Sequence, residues 1–191
     1  MGDSPWLTHR KADQKQARDY GFNSPFEEFA FSLQLGRSGV PTIYPRAIYM
    51  TGSKREPGRR TMDERRCMAL ARLLTPDGEP AVRNDCDYIT IWGFWNGPDQ
   101  LLAERDGQYY STFNAKRAAA HHFITQQRMT ELVQSKANKL ARCGLEDLNL
   151  KPDHLLISFD PDHNLVVDTF GKPEVRLCNF ELVRRKDAPT G

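Results

Sequence analysis

Long apolar runs, paired cysteines and a surplus of either charge are all missing from this sequence. No apolar stretch approaches the ~20 residues that cross a bilayer as a helix, and residues 1–20 are too charged for a secretory signal. The four cysteines, Cys67, Cys86, Cys143 and Cys178, lie far apart without a Cys-x-x-Cys pair. That argues against a zinc knuckle or disulfide framework and for reduced, mostly buried thiols. Lys and Arg number 27 against 25 Asp and Glu, a net charge of +2, so no polyanion partner is implied and nucleic acid is not expected. No internal repeat or low-complexity tract is present. The expectation is a cytoplasmic protein with no membrane span. Its 191 residues suffice for one domain, or two small lobes, around a real core.

Several elements are legible in order. Residues 5–20 are polar apart from Pro5-Trp6-Leu7, and read either as a basic N-terminus or as a strand over Trp6–Lys11. Ser24-Pro25-Phe26-Glu27 is a capping box with proline at the first helical position. Phe26, Phe29, Ala30 and Leu33 follow at helical spacing, Phe31 and Leu35 lie on the other side, and Gly39 before Val40-Pro41 stops the helix. A helix apolar on two faces is expected to be sandwiched. Thr42–Met50 reads as a strand interrupted by Pro45, hence bulged or at an edge. The basic run Gly52–Arg66 reads as a solvated loop, Cys67–Leu74 as a short helix and Thr75–Gly78 as a turn.

Tyr88–Trp95 is strand-like, rich in β-branched and aromatic residues, and ends at Asn96-Gly97-Pro98 before a short helix over Asp99–Arg105. From Ala115 to Ala141 the pattern is helical, with Met129, Leu132, Val133, Ala137, Leu140 and Ala141 on one stripe and Lys136 and Lys139 off it. His121 and His122, adjacent on a helix, splay apart and do not suggest a shared metal. Asp160–Asn164 reads as a hairpin turn, since Leu165 stands where a calcium loop needs glycine.

The most informative stretch is Glu146–Glu181. One polar cluster, Asn149 to His154, leads into the apolar run Leu155-Leu156-Ile157; another, Asn179-Phe180-Glu181, ends the run Val175–Cys178. Groups placed just before one strand and just after another converge at one end of a hairpin, over an apolar floor.

These residues resemble the catalytic half of the protein kinase-like superfamily, whose catalytic loop reads H-R-D-L-x-x-x-N and whose metal loop reads D-F-G. Leu150-Lys151-Pro152 and Leu155-Leu156-Ile157 match its frame closely. The resemblance puts Asn149 in the place of the catalytic aspartate, His154 in that of the metal-binding asparagine, and Asn179-Phe180-Glu181 in that of D-F-G. It also makes Lys11 and Glu28, seventeen residues apart, candidates for the ion pair that holds nucleotide phosphates. Glu27 is then the helix capper.

Asn149 has no carboxylate with which to accept a proton. Asn179 is uncharged, and the nitrogen of His154 is a poorer magnesium ligand than oxygen. Glu181 offers a carboxylate two positions late. With no Gly-rich loop upstream, the site implied is a degenerate phosphotransfer site. A second register resembles the lipopolysaccharide-core sugar kinases. It takes Asp147 as base with His154, at the cost of two extra residues between them.

The fold expected is α+β, a reduced protein kinase-like fold in one domain, with a small sheet-plus-helix lobe (about 20–96) and a short helical lobe (97–185). Only ten residues follow Glu181, leaving no activation segment or peptide platform under this resemblance. It implies a pseudokinase-type binding or scaffolding module whose partner is another protein or a small molecule. The alternative is an active small-molecule kinase using Asp147 and Glu181, with Lys151 beside them and ATP plus Mg or Mn as cofactor. A domain that keeps only the fold, or a chain lacking N-terminal strands, is the third reading.

Overall fold

The computed structural model describes residues 18–54, 70–83, 85–97 and 110–186. The Trp6–Lys11 strand, nearly all of the basic loop and the Asp99–Arg105 helix expected from the sequence lie outside these residues.

Helix α1 spans Pro25–Arg37 and begins as its sequence dictates. The Ser24 hydroxyl accepts from the Glu27 N–H at 3.3 Å, while Glu27 Oε2 accepts from the Ser24 N–H at 2.8 Å. Strands β1 (Tyr44–Lys54) and β2 (Cys86–Gly93) form an antiparallel ribbon whose register slips between Pro45 and Ala47. A proline has no N–H for the ladder, and a bulge absorbs the loss. Helix α1 is sandwiched. Phe26 and Phe29 meet Tyr88 and Trp92 of the ribbon with ring centroids 5.6 and 4.9 Å apart, while Leu35 is fully buried in the core. Leu33 departs from the expected stripe and remains 48% exposed.

The helix expected over 67–74 does not continue past Leu70: Ala71 and Arg72 form a turn and Leu74 bridges Pro80. The Thr75–Gly78 turn is present, closed by Gly78 N–H on Thr75 O at 2.9 Å with Gly78 at φ 81°.

The single helix expected over 115–141 is two. Strand β3 (Ser111–Asn114) leads into α2 (Ala115–Ala120), and α3 runs Gln126–Arg142. Asn114 and Thr125 each cap a helix, accepting the N–H groups of Arg117 and Arg128 at 2.7 and 3.0 Å. His122 between them has φ 60°. The apolar periodicity carries through the break because Phe123 turns back onto Phe113 and Phe159.

The remainder is β4 (Leu145–Asp147), a 3-10 turn at Pro152–His154, β5 (Leu155–Phe159), β6 (Arg176–Leu177) and β7 (Val183–Arg185). One sheet has the order β3-β5-β6 and β4 pairs with β7, all antiparallel. The Asp160–Asn164 segment is a hairpin turn, with Asp160 Oδ1 accepting the Asn164 N–H at 2.8 Å. Pro41–Ile43 lies alongside β6 through Ile43 N–H to Leu177 O (3.0 Å) and Leu177 N–H to Pro41 O (3.1 Å). One core cluster therefore joins Leu35, Val40 and Ile43 to Leu132, Leu140, Leu155 and Phe180. The α+β class read from the sequence is the class observed.

Lys136, placed off the apolar stripe of α3 by its charge, is 2% exposed. Its Nζ donates to Val175 O at 2.6 Å and to Pro41 O at 3.3 Å, tying α3 to both segments flanking β6. Burial pushes its pKa down to about 7, with Lys139 and Arg176 adding to the push. The unfolded chain then holds a proton that the folded chain has released between about pH 7 and pH 10.4, so stability rises with pH across that window. Chemical denaturation of the parent should show this rise. Lys136→Met should have the flatter profile, and parallel profiles for the two proteins would show that the buried ammonium carries no penalty.

Candidate functional site

Pairing of Leu155 with Leu177 and Leu156 with Arg176 sets the start of β5 beside the end of β6. The turn before β5 and the turn after β6 therefore meet, and the Cys178 N–H donates to His154 O at 2.9 Å. Leu155, Leu177 and Phe180 are each fully buried beneath them. The two polar clusters converge as the hairpin geometry predicts.

The Asn179-Phe180-Glu181 turn is anchored from two sides. The Phe180 ring stacks on Trp92 of β2, centroids 5.2 Å apart and planes 20° from parallel. Asn23 donates its N–H to Glu181 O and its Nδ2 to Phe180 O and Val183 O, each at 2.7 Å. Asn23 carries no motif, and sequence reasoning passed over it. Its role depends on residues more than 150 positions away.

Asp147, Asn149 and His154 are brought together. Asp147 ends β4 with its side chain 1% exposed; Oδ1 accepts the Asn149 N–H at 2.9 Å, and Oδ2 faces His154 Nδ1 at 3.8 Å. Among the described residues neither Oδ2 nor Nδ1 has a hydrogen-bond partner, although both are buried. Their 3.8 Å approach leaves an electrostatic contact as the link between them, so the two residues should be energetically coupled. Asn149 and Lys151 are half-buried, and Lys151 begins the 3-10 turn by accepting the His154 N–H at 2.9 Å. Asp153, the other carboxylate of this loop, pairs with Lys116 of α2 at 3.1 Å.

On the opposite turn, Asn179 Oδ1 accepts the Glu181 N–H at 3.1 Å, so this oxygen is engaged locally. Glu181 is exposed and close enough to Glu28 for their charges to interact. Burial pushes the Glu28 carboxyl up to about 7, with Glu181 and then Glu27 adding to it. Lys11, its expected partner, lies outside the described residues. Among the described residues no three His, Cys, Asp or Glu side chains gather as a metal site. His154, Asn179 and Glu181 share the hairpin end, but His154 turns its Nδ1 to Asp147. Burial also pushes the Cys178 thiol up to about 11, with Asp153 adding to it, which keeps it protonated and a poor ligand.

Asp147→Leu and His154→Leu should each destabilise the fold, and the double variant should lose less than their sum by ~0.5–3 kcal/mol in a urea-denaturation cycle. Zero coupling would mean that the 3.8 Å approach carries no energy. For Glu28, the folded state keeps a proton that the unfolded chain loses between about pH 4.3 and 7, so its contribution is full below that window and lost above it. Glu28→Gln should therefore melt higher than the parent at about pH 8 and at the same temperature at about pH 4. A lower melting point at pH 8 would reveal a cation partner for Glu28. Comparison with known proteins finds no family model, no curated protein and no solved structure that matches this chain.

Proposed function

We propose that this chain is a pseudokinase-like module, a reduced kinase-like fold that binds a protein or small-molecule partner and has weak or no phosphotransfer activity. One observation carries the reading. No carboxylate of the Asp147–His154 loop is free to take a hydroxyl proton: Asp147 is 1% exposed and turned onto His154, and Asp153 is paired with Lys116. Asn149, at the position the resemblance gives to the base, has no acidic oxygen. On the facing turn, Asn179 stands where the resemblance puts a metal-binding aspartate, and it has no anionic oxygen; its amide oxygen already accepts the Glu181 N–H.

The approach of Asp147 to His154 favours one competing reading, the small-molecule kinase register that pairs these two residues with Glu181 and ATP–Mg or ATP–Mn. The readings separate on binding and on repair. A ligand of the native state raises its melting midpoint, and ATP with magnesium or manganese should leave the midpoint of this protein nearly unchanged. A micromolar, metal-dependent affinity would overturn the proposal. Asn149→Asp with Asn179→Asp should gain at most slightly in ATP hydrolysis, and Asp147→Ala should change no turnover. Loss of an existing activity by about 10²–10⁴-fold in Asp147→Ala would instead assign it the general-base role.

A further inference from the structure

A second concavity, of about 720 Å³, lies away from the two turns, between the C-terminal half of α1, the Val40–Pro45 segment and the arm running from Val167 to Arg176. Small-molecule sites typically occupy about 300–1,000 Å³. Its walls include Leu33, Val40, Pro41 and Val167, and Leu33 and Val167 remain 48% and 50% exposed. Gly36 forms part of the α1 wall. Glycine inside a helix is unfavourable relative to alanine, yet a Cβ at Gly36 would meet nothing within 4 Å. Packing does not require glycine there. Its effect is to leave one wall of the cleft without a side chain.

The charges of the lining are matched except for one. Arg176 is buried, its guanidinium 4.8 Å from both the Tyr44 and Trp95 ring centroids. It donates Nε and Nη2 to Glu174 Oε1 at 3.0 and 2.6 Å and Nη1 to Thr42 O at 3.2 Å. Asp168 accepts the N–H groups of Phe170 and Lys172, both at 2.9 Å, and also interacts with the charges of Lys139 and Lys172. Arg37, exposed in the last turn of α1, has no hydrogen-bond or ion-pair partner among the described residues. A cation there complements the helix dipole, a role that lysine would fill equally. The planar fork of a guanidinium fits a carboxylate in a way that an ammonium does not.

We propose that this cleft binds a small apolar molecule bearing a single carboxylate, with Arg37 taking the carboxylate and Leu33, Val40 and Val167 enclosing the apolar body. The proposal does not depend on the pseudokinase-like reading, because none of the residues involved belongs to the turn before β5 or the turn after β6. An amide-resolved NMR titration of the full chain with 4-phenylbutyrate, and with the uncharged 4-phenylbutanamide, tests it. Shifts should concentrate in residues 32–45 and 167–176. The carboxylate should bind about fivefold more tightly than the amide, the gain expected from one exposed ion pair. Arg37→Gln should bring the two ligands level, and Arg37→Lys should fall between. Gly36→Leu should lose both ligands without a lower melting temperature. Leu33→Asp, a change at an exposed position, should weaken both ligands, the carboxylate more than the amide, and covers the case in which Gly36→Leu fails to fold. Absence of shifts at millimolar ligand, shifts at residues 147–154 and 179–181 instead, equal affinity for the two ligands in the parent, or undiminished binding by folded Gly36→Leu would each overturn the assignment.

Discussion

The stacking of Phe180 on Trp92 is the contact on which the two halves of this molecule depend. Trp92 belongs to the β1–β2 ribbon and also meets Phe29 of α1; Phe180 closes the turn after β6. Asn23 fixes the same turn through three hydrogen bonds to the backbone of Phe180, Glu181 and Val183. Deleting a fully buried phenylalanine side chain typically costs ~3–5 kcal/mol. Here the loss would fall on the ribbon, on α1 and on the polar turn together. The candidate site is thus held by an aromatic stack rather than by the side chains that line it.

Around that stack the protein buries more charge than its composition suggests. Lys136 reaches the carbonyls of Pro41 and Val175 from within α3, and Arg176 lies between two aromatic rings with Glu174 as its partner. Both side chains serve the junction where the 41–43 segment lies against β6. Buried charges of this kind contribute little net stability, since desolvation opposes the attraction, but losing one partner is costly. Asp147 and His154 face each other at 3.8 Å, a separation longer than a hydrogen bond.

The cleft beside α1 differs in character. Apolar residues such as Leu33, Val40 and Val167 share its walls with polar ones, and Arg176 and Glu174 pair with each other beneath it. Arg37 is the lining charge left over, and Gly36 the position at which a side chain is missing without a packing reason.

The sequence alone determined the features governed by near neighbours. The capping box at Ser24–Glu27, the Thr75–Gly78 turn and the hairpin at Asp160–Asn164 each depend on interactions among residues three or four apart, and the bulge at Pro45 follows from the missing proline N–H; all are present. Convergence of the two polar turns was also legible, because the alternation of apolar runs and breakers implies a hairpin. The break at His121–Thr125 is hidden in the sequence because apolar spacing persists there, while Thr125, which caps the start of the second helix, looks like an ordinary polar residue in a helical pattern. Lys136 stands four residues from both Leu132 and Leu140, so its spacing marked it as interior and only its charge argued otherwise. Which carbonyls would receive it, which residue Asp147 would face and what Asn23 would hold were decided by tertiary structure. Their partners come from distant parts of the chain, and a buried polar group is tolerated only where folding happens to deliver a partner.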